Sequence, residues 1–351
     1  MALTLVAAMI AALVAPAGAA TTAPAPGVGP AHGAAAVSAG PTAAPPALYP
    51  LPMHAVQPQC TTHRRGRALT RTLGASTAVR AVPRLLGASP VRSSSVDLSP
   101  VSGKGMWWTT WPGTRFDATA AVREAKAAGL HQIWVRTGGT TKGWYGTPLL
   151  DALLPPAHRA GLAVVAWDYP TLSNPAADAA RAARAIQGTF GGRHIDAFSP
   201  DIEAAAEGTR DSPERVRAYL SRVRAAAGSM PVIATVLNPT GAALAHYPYE
   251  SEAPYVDAFA PMVYWSCTEP GAATANAISY LGRLRPVLPI GQAYNMAAEG
   301  GRRGLPSAAE VWRFLDVARS HGAIGASLWD AENASHSEWS ALGNYPWHHA
   351  D

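Results

Sequence analysis

From about residue 100 onward the chain alternates between two hydrophobic rhythms. Short runs of β-branched and aromatic residues fall at 105–108, 132–136, 163–168, 195–203, 232–238, 258–264, 287–294 and 323–329. Between them lie Ala-rich stretches with Arg and Glu at helical spacing. The eight runs start 26 to 37 residues apart, the size of one strand-plus-helix unit. The punctuation agrees with this reading. Asp117, Asn174, Ser212 and Ser307 stand where helix N-caps belong, and Glu310 completes an S-x-x-E capping box with Ser307. Gly129, Gly161, Gly228 and Gly322 stand where helices should end. Eight strands in series, each followed by a crossover helix, predict an α/β chain closed into a (β/α)8 TIM barrel over residues 101–351. No G-x-G-x-x-G follows the first strand, which argues against a dinucleotide-binding fold.

The first hundred residues have a different composition. Residues 1–19 begin with an almost entirely apolar stretch and end at Ala17-Gly18-Ala19, the small-x-small pattern of a signal peptide, although no basic residue opens it. The apolar part is too short for a membrane-spanning helix of about 20 residues, so no membrane attachment is expected after cleavage. Residues 20–100 are rich in Ala, Pro, Gly and Ser and contain none of the 11 Trp, as expected of a disordered linker. The expected location is therefore extracellular, secreted or attached to the cell wall.

Charge separates the two parts as well. Residues 1–100 hold seven Arg and one acid, whereas the rest hold 21 basic and 22 acidic groups, so the net +5 belongs to the leader and linker. A near-neutral fold gives no support to a nucleic-acid partner. The cluster Arg64-Arg65-Gly66-Arg67 reads as a solvated charge run, with contact to anionic wall polymers as the alternative. Two cysteines, Cys60 and Cys267, are too few for a disulfide framework, though they could pair with each other. No Cys-x-x-Cys, His-x-His or His-Glu-x-x-His spacing occurs, so neither a metal nor a cofactor is expected. A monomer is expected.

Active sites of such barrels lie at the carboxyl ends of the strands, so the polar residues closing each run are the candidates. The sharpest group is Ser199-Pro200-Asp201-Ile202-Glu203. Side chains on a strand alternate, so Ser199, Asp201 and Glu203 share the inner face, with the two carboxylates roughly 6.5 Å apart along the strand. Like charges so placed do not ionise independently, and the drier one suits a general acid. Glu203 is assigned as that acid and Asp201 as its charged partner; the plainer alternative is that both only form salt bridges to Arg136 or cap a loop. Met262 and Tyr264 share a face at the end of the sixth run and offer a phenol at the mouth. Trp107, Trp108, Trp167, Trp265 and Trp329 fall at or near strand ends and offer aromatic faces for sugar rings, some of them being core. Arg136, Asp168, Asn238, Gln292 and Tyr294 complete the candidate substrate-binding set. The three lysines, Lys104, Lys126 and Lys142, end no middle or late strand, and no G-x-S-x-G occurs, so acid–base hydrolysis by carboxylates is the chemistry left.

With these residues placed, residues 103–342 resemble a secreted glycoside hydrolase barrel of the chitinase and lysozyme type. The run from Asp196 through Asp201 and Glu203 is similar to the D-x-x-D-x-D-x-E signature of family 18 chitinases, with Ser199 where the middle Asp would stand. Met262-Val263-Tyr264 resembles that family's M-x-Y, residues 287–294 its seventh-strand run, and residues 325–329 its final G-x-x-x-W. The D-x-E pair also resembles family 25 lysozymes, although their first-strand Asp has no counterpart in Gly105-Met106-Trp107-Trp108. The resemblance implies Glu203 as proton donor, with Asp201 and Tyr264 assisting the substrate's own acetamido group. It further implies a polysaccharide substrate, chitin or another N-acetylated wall glycan being the candidates. Ser199, and Trp265 where an acid often follows the tyrosine, are departures, and they leave a non-catalytic glycan-binding barrel as the alternative.

Overall fold

The computed structural model describes residues 96–347; the expected signal peptide, most of the expected linker and Cys60 lie outside the described residues. Its strands are β1 (Gly103–Trp108), β2 (Gln132–Gly139), β3 (Gly143–Trp144), β4 (Ala163–Tyr169), β5 (Ala197–Pro200), β6 (Ile233–Leu237), β7 (Ala258–Val263), β8 (Ile290–Gln292) and β9 (Gly325–Trp329). The helices are α1 (Ala118–Ala127), α2 (Thr147–Arg159), α3 (Pro175–Gln187), α4 (Pro213–Ala227), α5 (Gly241–His246), α6 (Tyr249–Glu252), α7 (Pro270–Leu281), α8 (Ala308–Ser320) and α9 (His336–Asn344). Eight parallel strands run in the order β5-β4-β2-β1-β9-β8-β7-β6, with the short β3 antiparallel to β2. Isolated parallel bridges Phe198 to Val232 and Asp201 to Thr235 bring β5 against β6, and the barrel closes there. Each of the eight expected runs contains one barrel strand; β3 was not anticipated.

The helix ends explain much of this agreement. Asp117 and Asn174 accept hydrogen bonds from Ala120 N and Ala177 N, and Ser307 with Glu310 forms the expected capping box. Ser212 occupies the N-cap of α4 without a side-chain cap bond. A second capping box, Ser335 with Glu338, starts α9 and went unread in the sequence.

Two apolar layers follow from strand parity. Outward residues such as Met106, Ile133, Val164, Phe198 and Phe259 pack under the helices. Inward residues, including Trp107, Trp134, Val165, Trp167, Ile233, Ala260 and Ile290, fill the barrel itself. Trp107 stacks on Trp134 with ring centroids 4.4 Å apart, and its indole N–H donates to Ser327 Oγ. Trp134 donates to Gln132 Oε1 at 2.7 Å, so both indoles bury their polar atom at no hydrogen-bond loss. Gly105 makes room for this plug: a Cβ there would meet Gln132 Oε1 at 2.7 Å and Trp134 Nε1 at 3.0 Å. At the amino-terminal end of the barrel, Leu98 and Val101 pack against the inner layer, and Gln132 Nε2 donates to Val101 O. Among the described residues, packing onto the barrel thus includes Leu98, which precedes residue 101.

Lys104 points outward from β1 and is 4% exposed. Its ammonium lies within hydrogen-bond range of Ala128 O, Leu342 O, Gly343 O and Tyr345 O, at 2.8–3.2 Å. These are carbonyls at the carboxyl ends of α1 and α9, where positive charge is favoured and intrahelical partners run out. Lys104→Met would leave these acceptors buried without a donor. It is expected to lower unfolding free energy by about 2–4 kcal/mol, read as a lower denaturant midpoint at unchanged slope. A change below about 0.5 kcal/mol would mean that the clamp is energetically idle.

Candidate active site

Asp201 and Glu203 follow β5 directly. Backbone bonds hold this segment between its neighbours: Asp201 N donates to Asp168 O at 2.9 Å and Ile202 N to Thr235 O at 3.2 Å. The alternation of β5 continues through them, and both side chains line one cleft at the carboxyl end of the barrel. That cleft is shared with Trp107, Arg136, Trp167, Tyr169, Thr235, Met262, Tyr264, Ile290 and Trp329. It is tight, with free space between its walls on the order of a single water molecule. Of the residues lining it, Tyr169 is half-buried and the rest are buried.

Tyr264 faces the dyad. Burial pushes its phenol well above the usual tyrosine range, and the charges of Asp201 and Glu203 push it further. Tyr169 is driven up by the same three causes, burial first, then Glu203 and Asp201. Both phenols therefore keep their protons at any physiological pH and can serve as hydrogen-bond donors beside two carboxylates. Tyr294 backs this arrangement without entering the cleft. Its ring meets Tyr264 edge-on at 5.5 Å, and its hydroxyl donates to Glu299 Oε2 at 2.9 Å.

Arg136 lines the same cleft from β2, two strands from the dyad around the barrel. Its guanidinium lies over the rings of Trp111, Trp167 and Tyr169 at 4.3, 5.0 and 5.5 Å. Among the described residues it forms no ion pair. The Arg136 pairing offered as the plainer role of Asp201 and Glu203 is therefore not seen. Trp107, Trp167 and Trp329 pack edge against face, 5.4–5.7 Å apart, as a floor continuous with the indole plug below.

Several candidates lie elsewhere. Asp168 is out of phase with Trp167 and Tyr169 and turns to the helices, where Arg181 Nε reaches both its oxygens at 2.9 and 3.0 Å. Burial pushes its carboxyl up to about 6, with Arg181 opposing. Trp265 is fully buried against Phe314 under the helix layer. Asn238 is half-buried and does not line the cleft, because Ile233 and Thr235 hold the inward phase of β6. Gln292 accepts from Ser266 N and donates to Tyr294 O, bracing the two loops. Of the first acids in the signature, Asp196 lies at the far end of β5, clamped to Val164 N and His158. Ser199 joins β5 to β6, donating to Ile233 O at 2.7 Å with Thr235 Oγ1 at 2.8 Å. Asp330, whose orientation the sequence left open, is buried outside the cleft and accepts from Asn333. Cys267 is disulfide-bonded.

Tyr169, Thr235 and Ile290 line the cleft and were missed, although continuing the alternation from Trp167, Ile233 and Leu288 locates each. Trp111 was missed for a different reason: it lies on the loop after β1, where no period places it. Among the described residues no group of three or more His, Cys, Asp or Glu is arranged to hold a metal ion. No helix among them is long and apolar enough to cross a membrane.

No protein-family model matches the chain, and no curated protein sequence does. Solved structures do. A chitinase from Chromobacterium violaceum ATCC 12472 matches 69% of this chain and 98% of its own, with TM-score 0.51 at 12% identity. The spore cortex-lytic enzyme SleL of Bacillus cereus matches 70% and 74%, with TM-score 0.52 at 11% identity. A beta-galactosidase from the psychrophilic Marinomonas ef1 matches 69% and 58%, with TM-score 0.52 at 9% identity. At such identities the likeness is one of fold, and the fold of this chain is the (β/α)8 barrel found in these glycoside hydrolases.

Proposed function

We propose that the protein is a secreted glycoside hydrolase that cleaves O-glycosidic bonds of a polysaccharide, with Glu203 as the proton donor. The observation that carries this reading is the convergence of Asp201, Glu203 and the protonated Tyr264 on one cleft at the carboxyl end of the barrel. Acid-catalysed cleavage needs a proton at the leaving oxygen and negative charge beside the developing oxocarbenium ion. Glu203 gives its proton as the C–O bond breaks and the bonding pair moves to that oxygen. Asp201 remains the anion. Tyr264 donates a hydrogen bond that holds the substrate's acetamido group in place beside the reacting carbon. Water then takes the anomeric position, either directly or after attack by a neighbouring group of the sugar, and gives up its proton to a carboxylate of the dyad, which restores the acid. An N-acetylated wall glycan or chitin is the proposed substrate, and the apolar leader supports an extracellular or wall-associated setting.

A second reading, a glycan-binding barrel without hydrolysis, is favoured by two observations. Ser199 is tied to the β5–β6 seam where the resembling chitinases carry an acid, and the cleft is tight around the carboxylates.

Glu203→Gln keeps the size of the side chain and removes the acid. It is expected to lower the release of reducing ends from the cleaved glycan by about 100-fold or more, with binding and thermal midpoint unchanged. Equal turnover in mutant and parent removes Glu203 from the mechanism. Tyr264→Phe is expected to cost about 10- to 1000-fold in kcat with a smaller change in KM, because the lost donor acts mainly by orienting the sugar in the transition state. A rise in KM alone would reduce Tyr264 to a binding contact.

A further inference from the structure

Arg136 is a buried cation that the mechanism above does not use. Its side chain lines the cleft and the residue is 7% exposed. Of the five N–H donors of a guanidinium, the Nε–H reaches Gly138 O at 3.4 Å, and the terminal nitrogens make no hydrogen bond to a described residue. Three aromatic rings surround the group. They offset part of its lost hydration but accept no conventional hydrogen bond. So enclosed a charge has few partners on the protein, Asp168 acting on it only through space, and an anion entering the cleft would add to them. The neighbouring Arg181 illustrates the contrast, since it holds both Asp168 and Asp178.

The position of Arg136 matters as much as its burial. Trp111, which covers the guanidinium at 4.3 Å, also lines a second hollow of about 330 Å³ with Phe116, Tyr145 and Leu149. Arg136 thus stands where the cleft meets this aromatic hollow, on β2, two strands around the barrel from the segment that carries Asp201 and Glu203. The dyad would repel an anionic sugar placed against it. A guanidinium on a separate strand both draws such a sugar in and anchors its charge on the side of the hollow, and its edge matches a carboxylate through two parallel hydrogen bonds.

We propose that this cleft selects a carboxylate-bearing sugar, bound by Arg136 at the junction with the Trp111 hollow. The inference rests on the glycan-cleaving reading and names its substrate class. The carboxylate has two possible sources, a uronic acid ring or the lactyl ether of a muramic acid, and the same guanidinium serves either.

The test is isothermal titration of the full-length secreted chain carrying Glu203→Gln, so that probes stay intact. The probes are a hyaluronan tetrasaccharide and its carboxyl-reduced form, the N-acetylglucosaminyl-N-acetylmuramic acid disaccharide and its methyl ester, and chitotetraose. At least one acidic probe is expected to bind about 30-fold or more tightly than its uncharged twin, and which one does so identifies the source. Adding Arg136→Gln should abolish that difference, and Arg136→Lys should restore only part of it because an ammonium lacks the planar fork. Equal binding of charged and uncharged twins, a preference for the uncharged forms, or no binding of either acidic probe overturns the proposal. If chitotetraose binds in that case, the glycan-cleaving reading survives without it. Should Arg136→Gln fail to fold, the comparison of twins on the arginine-bearing protein still decides.

Discussion

In a closed barrel of parallel strands, successive side chains go alternately to the axis and to the helices, and one parity governs both layers of this protein. Below the mouth the inward positions must be filled, and here four indoles do most of the filling, Trp107, Trp134, Trp167 and Trp329. At the mouth the same positions have less to pack against, so polar side chains in phase with the indoles reach the cleft instead. Asp201 and Glu203 are in phase with Ala197 and Ser199, and Tyr264 with Ala260 and Met262. The site is the upper continuation of the inner core.

This parity explains how much could be read from the sequence. The strand order and the helix punctuation were legible because each βα unit carries its own cap residues and apolar run. The dyad, Met262 and Tyr264 were legible because they extend a long run in an obvious phase. Asp168, Asn238 and Trp265 were chosen for their chemistry and their place at a strand end, yet each is one residue out of phase and turns to the helix layer. Gln292 shows a different limit. Its fate depends on Ser266 N and Tyr294 O, contacts between loops that no local pattern announces. Trp111 lies on a loop, so its place over Arg136 had no signal in the alternation at all.

The energetics of the mouth set polar groups against a nearly dry environment. Two carboxylates, two phenols and one guanidinium share a tight cleft floored by aromatic rings. Such a setting strengthens every electrostatic contact made inside it. It keeps Tyr264 and Tyr169 protonated, and it makes the buried charge of Arg136 sensitive to the charge of whatever enters. The segments at the ends of β5 and β7 bring the dyad and Tyr264 to this cavity, and β2 brings Arg136.

The central claim is that the 201–203 dyad acts on a glycosidic bond, and the most direct check is the crystal structure of Glu203→Gln with an oligosaccharide soaked in. The account predicts the side chain at position 203 within about 2.6–3.2 Å of a glycosidic oxygen, with a sugar ring over Trp329. A glycan found only on the outer surface, with the cleft still closed around Asp201, would contradict it.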